Sequence, residues 1–194
     1  MQKNNFDLLK QNGFLLFSKD ETPFTEEEWE QLIDAFSPDK KPYVERRIST
    51  TGKSAFATVY HAKLQEEDYR CDIIEKVIGG PKFTNFLRHI CAGRHVEASR
   101  VQSHIYPETG YIAKHIDAEL ESYFICSCVI TLNDGYEGGE FVLYHPNGTT
   151  MSLKLPKHAL LITPSWYSHE VKPVTKGTRH TMLAFIRNLD EQVH

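Results

Sequence analysis

After Gly93 the chain becomes a succession of short apolar runs cut by turns, and no other feature limits its fold as strongly. RHVEASRVQSHIY, SYFICSCVITLN, EFVLYH, TTMSLKL, HALLIT, HEVKPV and TRHTMLAFI are separated by NDGYEGG, PNG and TKG. Glycine, asparagine and aspartate supply the backbone conformations that tight turns need. Seven or so short strands with regular turns predict a sandwich or barrel. The expected fold class is therefore mainly β (α+β), a jelly roll with α-helices packed outside it.

The N-terminal half supplies those helices. Phe6 to Gln11 reads as a helix closed at Gly13, and GFLLF follows as a short strand. In TEEEWEQLIDAF, Thr25 and Glu28 have capping-box spacing and acids fill the first turn, so a helix should begin near Glu26. YVERRIST and SAFATVY, on either side of Thr51-Gly52-Lys53, read as a hairpin or paired extended segments. From Asp68 to about Ala92 the pattern is helical, broken at Gly79-Gly80-Pro81. At 194 residues the chain suits one domain, 1–194, with 1–93 as helical and extended support and 94–188 as the jelly-roll core.

A net charge of -4 argues against general nucleic-acid or membrane-surface binding, although Arg46 and Arg47 with Lys40 and Lys41 form a local basic patch. The first residues lack the apolar core and cleavage site of a secretory signal, and no run reaches transmembrane length. Cys71, Cys91, Cys126 and Cys128 show neither CxxC nor zinc-finger spacing. Reduced thiols and a cytoplasmic location are expected, with neither nucleic acid nor membrane as partner.

Chemistry concentrates in GYIAKHIDAELESYF, residues 110–124. In an extended segment, residues two apart point the same way, so His115 and Asp117 converge. A His-x-Asp triplet alone is common, and a third ligand is needed. His169 has the best context, 52 residues beyond Asp117 (169 minus 117) and after the turn-prone PSWYS. Two imidazoles and one carboxylate on one face of a metal, with open positions left over, suit non-haem Fe(II). Arg179 follows ten residues after His169 (179 minus 169), across Thr175-Lys176-Gly177. A hairpin there would set the two strands side by side, and the guanidinium could fork onto a carboxylate. Arg179, Thr181, Leu183 and Phe185 share one strand face; Tyr123, Ile125, Ser127, Val129 and Thr131 share another, opposite Phe124, Cys126, Cys128, Ile130 and Leu132.

YPETGYIAKHIDAELESYFICSCVITLNDGYEGGEFVLYHP, followed by PSWYSHEVKPVTKGTRHTMLAFIRN, resembles the catalytic core of 2-oxoglutarate and Fe(II)-dependent oxygenases of the prolyl 4-hydroxylase type, over roughly residues 94–188. The resemblance implies a double-stranded β-helix in which His115, Asp117 and His169 bind Fe(II) and Arg179 binds the far carboxylate of 2-oxoglutarate. Tyr106, in the Tyr-Pro position, would hydrogen-bond in the co-substrate pocket. Thr131 stands where the hypoxia-sensing enzymes carry a tyrosine; its shorter hydroxyl leaves Thr181 or a water to help anchor that carboxylate. Phe185 replaces a frequent tryptophan. Dioxygen is the second co-substrate and ascorbate a candidate reductant.

The implied reaction is hydroxylation of an unactivated C-H bond, most of all in a prolyl residue of a peptide or protein. A free amino acid or small metabolite is the alternative substrate, and a non-catalytic metal- or 2-oxo-acid-binding sensor the rival from outside enzymology. Asp117 favours hydroxylation, because related halogenases lack that carboxylate. Nucleic-acid demethylation is disfavoured by the acidic chain and by Arg187, which falls at the wrong spacing for a second arginine. Oligomeric state is not legible. Gly138-Gly139-Glu140 reads as a turn or bulge. Trp166 and Tyr167 read as candidates for the substrate mouth, Gln102 as a pocket candidate, and His104, His145 and His180 as surface or hydrogen-bonded histidines.

Overall fold

The computed structural model describes residues 4–37, 55–56, 58–61 and 69–190. The basic patch around Arg46 and the segment YVERRIST lie outside the described residues. In chain order the elements are α1 (Asn5–Asn12), β1 (Leu15–Phe17), α2 (Glu26–Ala35), β2 (Ala55–Phe56), β3 (Thr58–His61), α3 (Tyr69–Val77), α4 (Pro81–Ile90), β4 (Val96–Tyr106), β5 (Tyr111–His115), β6 (Phe124–Thr131), β7 (Glu137–Gly138), β8 (Phe141–Tyr144), β9 (Thr150–Leu153), β10 (Leu160–Pro164), β11 (Ser168–Val171), β12 (Val174–Lys176) and β13 (Arg179–Asn188).

Local chemistry explains the helix ends. Asn4 caps α1 by accepting from the Asp7 N-H, and Gly13 ends it at φ 81°, a conformation glycine adopts without steric cost. Thr25 and Glu28 form the expected reciprocal capping box on α2. Pro81 opens α4 at the first helical turn, where its missing N-H costs nothing.

Among the described residues the strands form a six-stranded sheet, β1-β10-β6-β13-β4-β3, a five-stranded sheet, β2-β5-β11-β8-β9, and the small pair β12-β7. Two antiparallel sheets face each other, as the jelly-roll expectation requires. The helices cover the outer face of the larger sheet. Leu9, Trp29, Leu32, Phe83 and Leu87 pack with Cys126, Cys128, Ile130, Met182 and Ala184 in one buried cluster. Each such large apolar side chain contributes roughly 1.5–3 kcal/mol through burial. The inner faces meet in a second cluster, where Val129, Leu161, Leu183 and Phe185 oppose Ile112, Phe141, Leu143 and Val171.

Two strand expectations need correction. Phe124 does not share the outer face of Cys126; it belongs to the inner cluster and stacks on Phe185 at 5.2 Å. The β6-β13 register shifts between Ile186 and Arg187, and such a bulge turns the next side chain to the other face. Nor do the strands of His169 and Arg179 form a hairpin. β11 pairs with β5 and β8, whereas β13 pairs with β4 and β6 in the other sheet. Pro173 lacks the N-H that would continue β11, and Val174 pairs instead with Gly138. The chain crosses between sheets there, so the two residues face each other across the interior.

Candidate active site

The site begins at the end of β5. His115 is the last residue of that strand, Ile116 remains extended (φ -127°, ψ 126°), and Asp117 opens a 3-10 turn fixed by the Ala118 N-H donating to the Ser165 carbonyl. One extended residue between them is enough to aim both side chains the same way. His169 is the direct cross-strand partner of His115, and their rings lie 4.3 Å apart.

His115 Nε2 is 3.3 Å from Asp117 Oδ1, and His169 Nε2 is 3.5 Å from Asp117 Oδ2. One ligand atom from each residue lies within 4.8 Å of the others, and all three residues are buried. Such a cluster can hold one metal ion. Each imidazole Nδ1-H donates to a backbone carbonyl two residues back, His115 to Ala113 at 2.9 Å and His169 to Tyr167 at 3.0 Å. These bonds fix the tautomer and present Nε2 to the cluster. Phe141 stacks on the His169 ring at 5.0 Å.

The protonation states suit ligation. Burial pushes His169 down, outweighing the attraction of Asp117, and keeps the ring neutral. Burial alone would raise Asp117, but the imidazoles of His169 and His115 and the Ser127 hydroxyl hold its carboxyl at about 2.

Arg179 approaches from the facing sheet. It is 1% exposed, and its Nε and Nη2 have no hydrogen-bond partner among the described residues. Its Nη1 lies 3.4 Å from Thr181 Oγ1, and its guanidinium carbon lies 4.9 Å from the Tyr106 ring centroid. A buried cation without a counter-charge is costly unless an anion completes it. Arg179 lines the same pocket as His115, Asp117 and His169. The donor set of the triad and the orphaned guanidinium thus fit a metal ion and an anionic ligand in one cavity.

Residues 101–187 match the model of the 2OG-Fe(II) oxygenase superfamily. That stretch is similar to the core of 2OG-Fe(II) oxygenases. The superfamily's cofactor is Fe(II), with 2-oxoglutarate and dioxygen as co-substrates. A PKHD-type hydroxylase of Xylella fastidiosa (strain M12) is 30% identical over 112 residues, covering 58% of this chain and 46% of the relative. A PKHD-type hydroxylase of Aliarcobacter butzleri is 41% identical over 64 residues, 33% of this chain and 28% of the relative. The chain spans about half the length of the first of these. In fold it is similar to an oxidoreductase of the 2OG-Fe(II) oxygenase family from Burkholderia pseudomallei, with TM-score 0.82, 20% identity, and coverage of 94% of this chain and 89% of the other. A Pseudomonas putida prolyl-4-hydroxylase superimposes with TM-score 0.65 at 16% identity, covering 94% and 96%.

Around this pocket the other expected residues separate. Tyr106 and Thr181 line the pocket with Arg179; burial pushes the Tyr106 hydroxyl up to about 12. Thr131 does not line the pocket, but it is the cross-strand partner of Thr181, fully buried, with Oγ1 unpaired among the described residues. Gln102 lines the wall as expected. Trp166 and Tyr167 do not line it. Tyr167 donates to the Lys10 carbonyl at 2.6 Å, and Trp166 packs edge-on against Phe6.

Three contributors escaped the sequence reading. His104, buried at 3% exposure, lines the pocket between Gln102 and Tyr106. The strict two-residue alternation of β4 could have revealed it. Arg100 extends the same row, with its guanidinium carbon 5.9 Å from the Phe185 ring centroid. Gly139 has φ +66°, and a Cβ there would come within 2.9 Å of Arg179 Cδ. The glycine turn therefore also makes room for the guanidinium stem, a tertiary role with no local signature.

Proposed function

We propose that this chain is an Fe(II)- and 2-oxoglutarate-dependent dioxygenase that hydroxylates an unactivated C-H bond, with a prolyl residue of a peptide or protein as substrate. The observation that carries the reading is the buried, incompletely paired Arg179 guanidinium lining one pocket with the His115, Asp117 and His169 cluster. A cation in that position needs an anion, and a dicarboxylate that also chelates the metal satisfies both ends. The PKHD-type and prolyl-4-hydroxylase names of similar proteins support the hydroxylase and prolyl parts of the reading.

His115 and His169 would hold the metal through neutral Nε2 atoms, and Asp117 would supply the single carboxylate. Bound together, Fe(II) and 2-oxoglutarate supply the oxidising chemistry: dioxygen puts one atom into the C-H bond and one into succinate, with release of carbon dioxide. Arg179 would fork onto the far carboxylate, with Thr181 and Thr131 as hydroxyl neighbours. Val129, Ile112, Leu183 and Val171 form apolar walls that suit the co-substrate methylenes and limit water. The protein's contribution is orientation and a dry, charge-matched cavity.

Anaerobic addition of Fe(II) and then 2-oxoglutarate should produce the visible charge-transfer band of the chelate in wild-type protein and none in His169→Ala. Metal binding without a band would sink the co-substrate reading and favour a metal sensor. In air, proline-containing peptides should accelerate succinate release. Stimulation by free amino acids alone would overturn the peptide assignment.

A further inference from the structure

Gln102, His104 and Tyr106 occupy alternate positions of β4 and line one wall of the pocket. All three are buried, at 5%, 3% and 1% exposure. They are joined by two hydrogen bonds: His104 Nδ1 lies 3.0 Å from the Tyr106 hydroxyl and His104 Nε2 lies 2.9 Å from Gln102 Oε1. A carboxamide oxygen can only accept, so His104 carries its proton on Nε2 and donates it to Gln102. Nδ1 is then the acceptor, and the Tyr106 O-H must donate to it. With its proton committed to His104, the Tyr106 oxygen keeps its lone pairs for a donor.

A strong donor stands on the neighbouring strand. Arg179 is the cross-strand partner of Tyr106, with its guanidinium carbon 4.9 Å from that ring centroid. Thr181, which lies 3.4 Å from Arg179 Nη1, is in turn the cross-strand partner of His104. Two alternate rungs of the β4-β13 ladder, on one face of the sheet, thus carry His104 and Tyr106 on one side and Thr181 and Arg179 on the other. A tyrosine ring released from His104 would regain torsional freedom beside a guanidinium whose aim depends on it.

We propose that His104 is a positioning residue of the co-substrate pocket: by accepting the Tyr106 hydroxyl proton and anchoring itself to Gln102, it holds the Tyr106 ring against Arg179 and so sets affinity for a 2-oxo diacid. This rests on the co-substrate reading of the site above. His104 touches neither metal nor reacting atoms, and acts through Tyr106.

The test uses the full chain and two anaerobic titrations, Fe(II) binding and then 2-oxoglutarate binding followed by the visible band. Asparagine carries its amide oxygen where Nδ1 lies, and glutamine reaches the position of Nε2. His104→Asn therefore restores the acceptor for Tyr106, His104→Gln restores only the link to Gln102, and His104→Phe restores neither. His104→Phe should weaken 2-oxoglutarate binding roughly five- to tenfold, the scale of one net hydrogen bond. Fe(II) affinity should stay at the wild-type value, which a general loss of structure would not allow. His104→Asn should recover most of the loss and His104→Gln little of it. In a Tyr106→Phe background the Asn and Gln variants should become equivalent, and this comparison stands even where His104→Phe does not fold.

Equal 2-oxoglutarate affinity in wild type and His104→Phe, or equal affinity of the Asn and Gln variants with Tyr106 present, overturns the proposal for His104 alone. Absence of the band in metal-loaded wild type overturns the co-substrate reading, and this proposal with it.

Discussion

His115 and His169 are direct cross-strand partners, on neighbouring antiparallel strands, with ring centroids 4.3 Å apart. That register brings two residues separated by 54 positions (169 minus 115) to one point in space. Asp117 reaches the same point from the turn after β5. The backbone carbonyls of Ala113 and Tyr167 hold the rings in matching tautomers, so the two Nε2 atoms that we propose as metal ligands already point to the Asp117 carboxylate.

Metal binding should consequently stabilise the fold. Fe(II), or Mn(II) as an air-stable substitute, should raise the melting temperature, as expected for any ligand that binds only the native state. A chelator should reverse the gain. His169→Ala should melt at the same temperature with and without metal; a full metal-dependent shift in that variant would remove His169 from the ligand set.

Arg179→Ala should retain metal binding and lose 2-oxoglutarate binding by about a hundredfold or more, the scale of losing a buried charged partner. Arg179→Lys should recover little, because an ammonium cannot reproduce the planar two-pronged donor. Calorimetric titration of 2-oxoglutarate into the metal-loaded protein checks both. Full rescue by lysine would mean that charge alone, without the fork, is what the pocket supplies.

Gly139→Ala should cost about 1–3 kcal/mol of stability, since the residue sits at φ +66° and its new methyl would meet Arg179 Cδ at 2.9 Å. It should also weaken 2-oxoglutarate binding by displacing the guanidinium stem. Urea denaturation measures the first effect and titration the second. A stability loss with unchanged co-substrate affinity would confine the glycine to a turn role.

His180 predicts a pH effect whose sign is fixed. Burial first, and Arg179 second, push its imidazole down to about 4, against roughly 6.5 in the unfolded chain. Above pH 6.5 both states are neutral and nothing changes. Between 6.5 and 4 the unfolded chain binds a proton that the folded chain refuses, so stability falls with pH by up to about 3 kcal/mol and then levels off. His180 Nε2 lies 2.8 Å from Ser103 Oγ, a bond that His180→Gln can keep without a titrating group. Relative to this variant, wild type should lose unfolding free energy as pH falls from 6.5 to 4. A constant difference across that range would contradict the assigned burial effect.

Leu87→Ala should destabilise by about 2–5 kcal/mol. Its side chain is fully buried, in the cluster that joins the helices to β6 and β13. We propose that 1–194 unfolds as one unit. The variant should then lower a single transition, seen alike by near-UV and far-UV circular dichroism; two separated transitions would divide helical support from β core.

The sequence alone determined most of the elements and the residue types that gather at the candidate site. Strand periodicity, glycine turns and the Thr25–Glu28 capping box are local signals, set by backbone sterics and nearest-neighbour hydrogen bonds, and the structure reproduces them. His115 and Asp117 were legible for the same reason, because one extended residue aligns them. Only the tertiary structure decided that His169 and Arg179 stand on opposing sheets, because Pro173 ends one ladder and Val174 starts another. A bulge near Ile125 turned Phe124 inward, a register event that alternation by itself does not predict. The seat of Arg179 at Gly139 and the His104 link to Tyr106 likewise depend on how strands align and pack. Such relations are set by burial and register between distant segments, and those quantities become definite only when the two sheets close on each other.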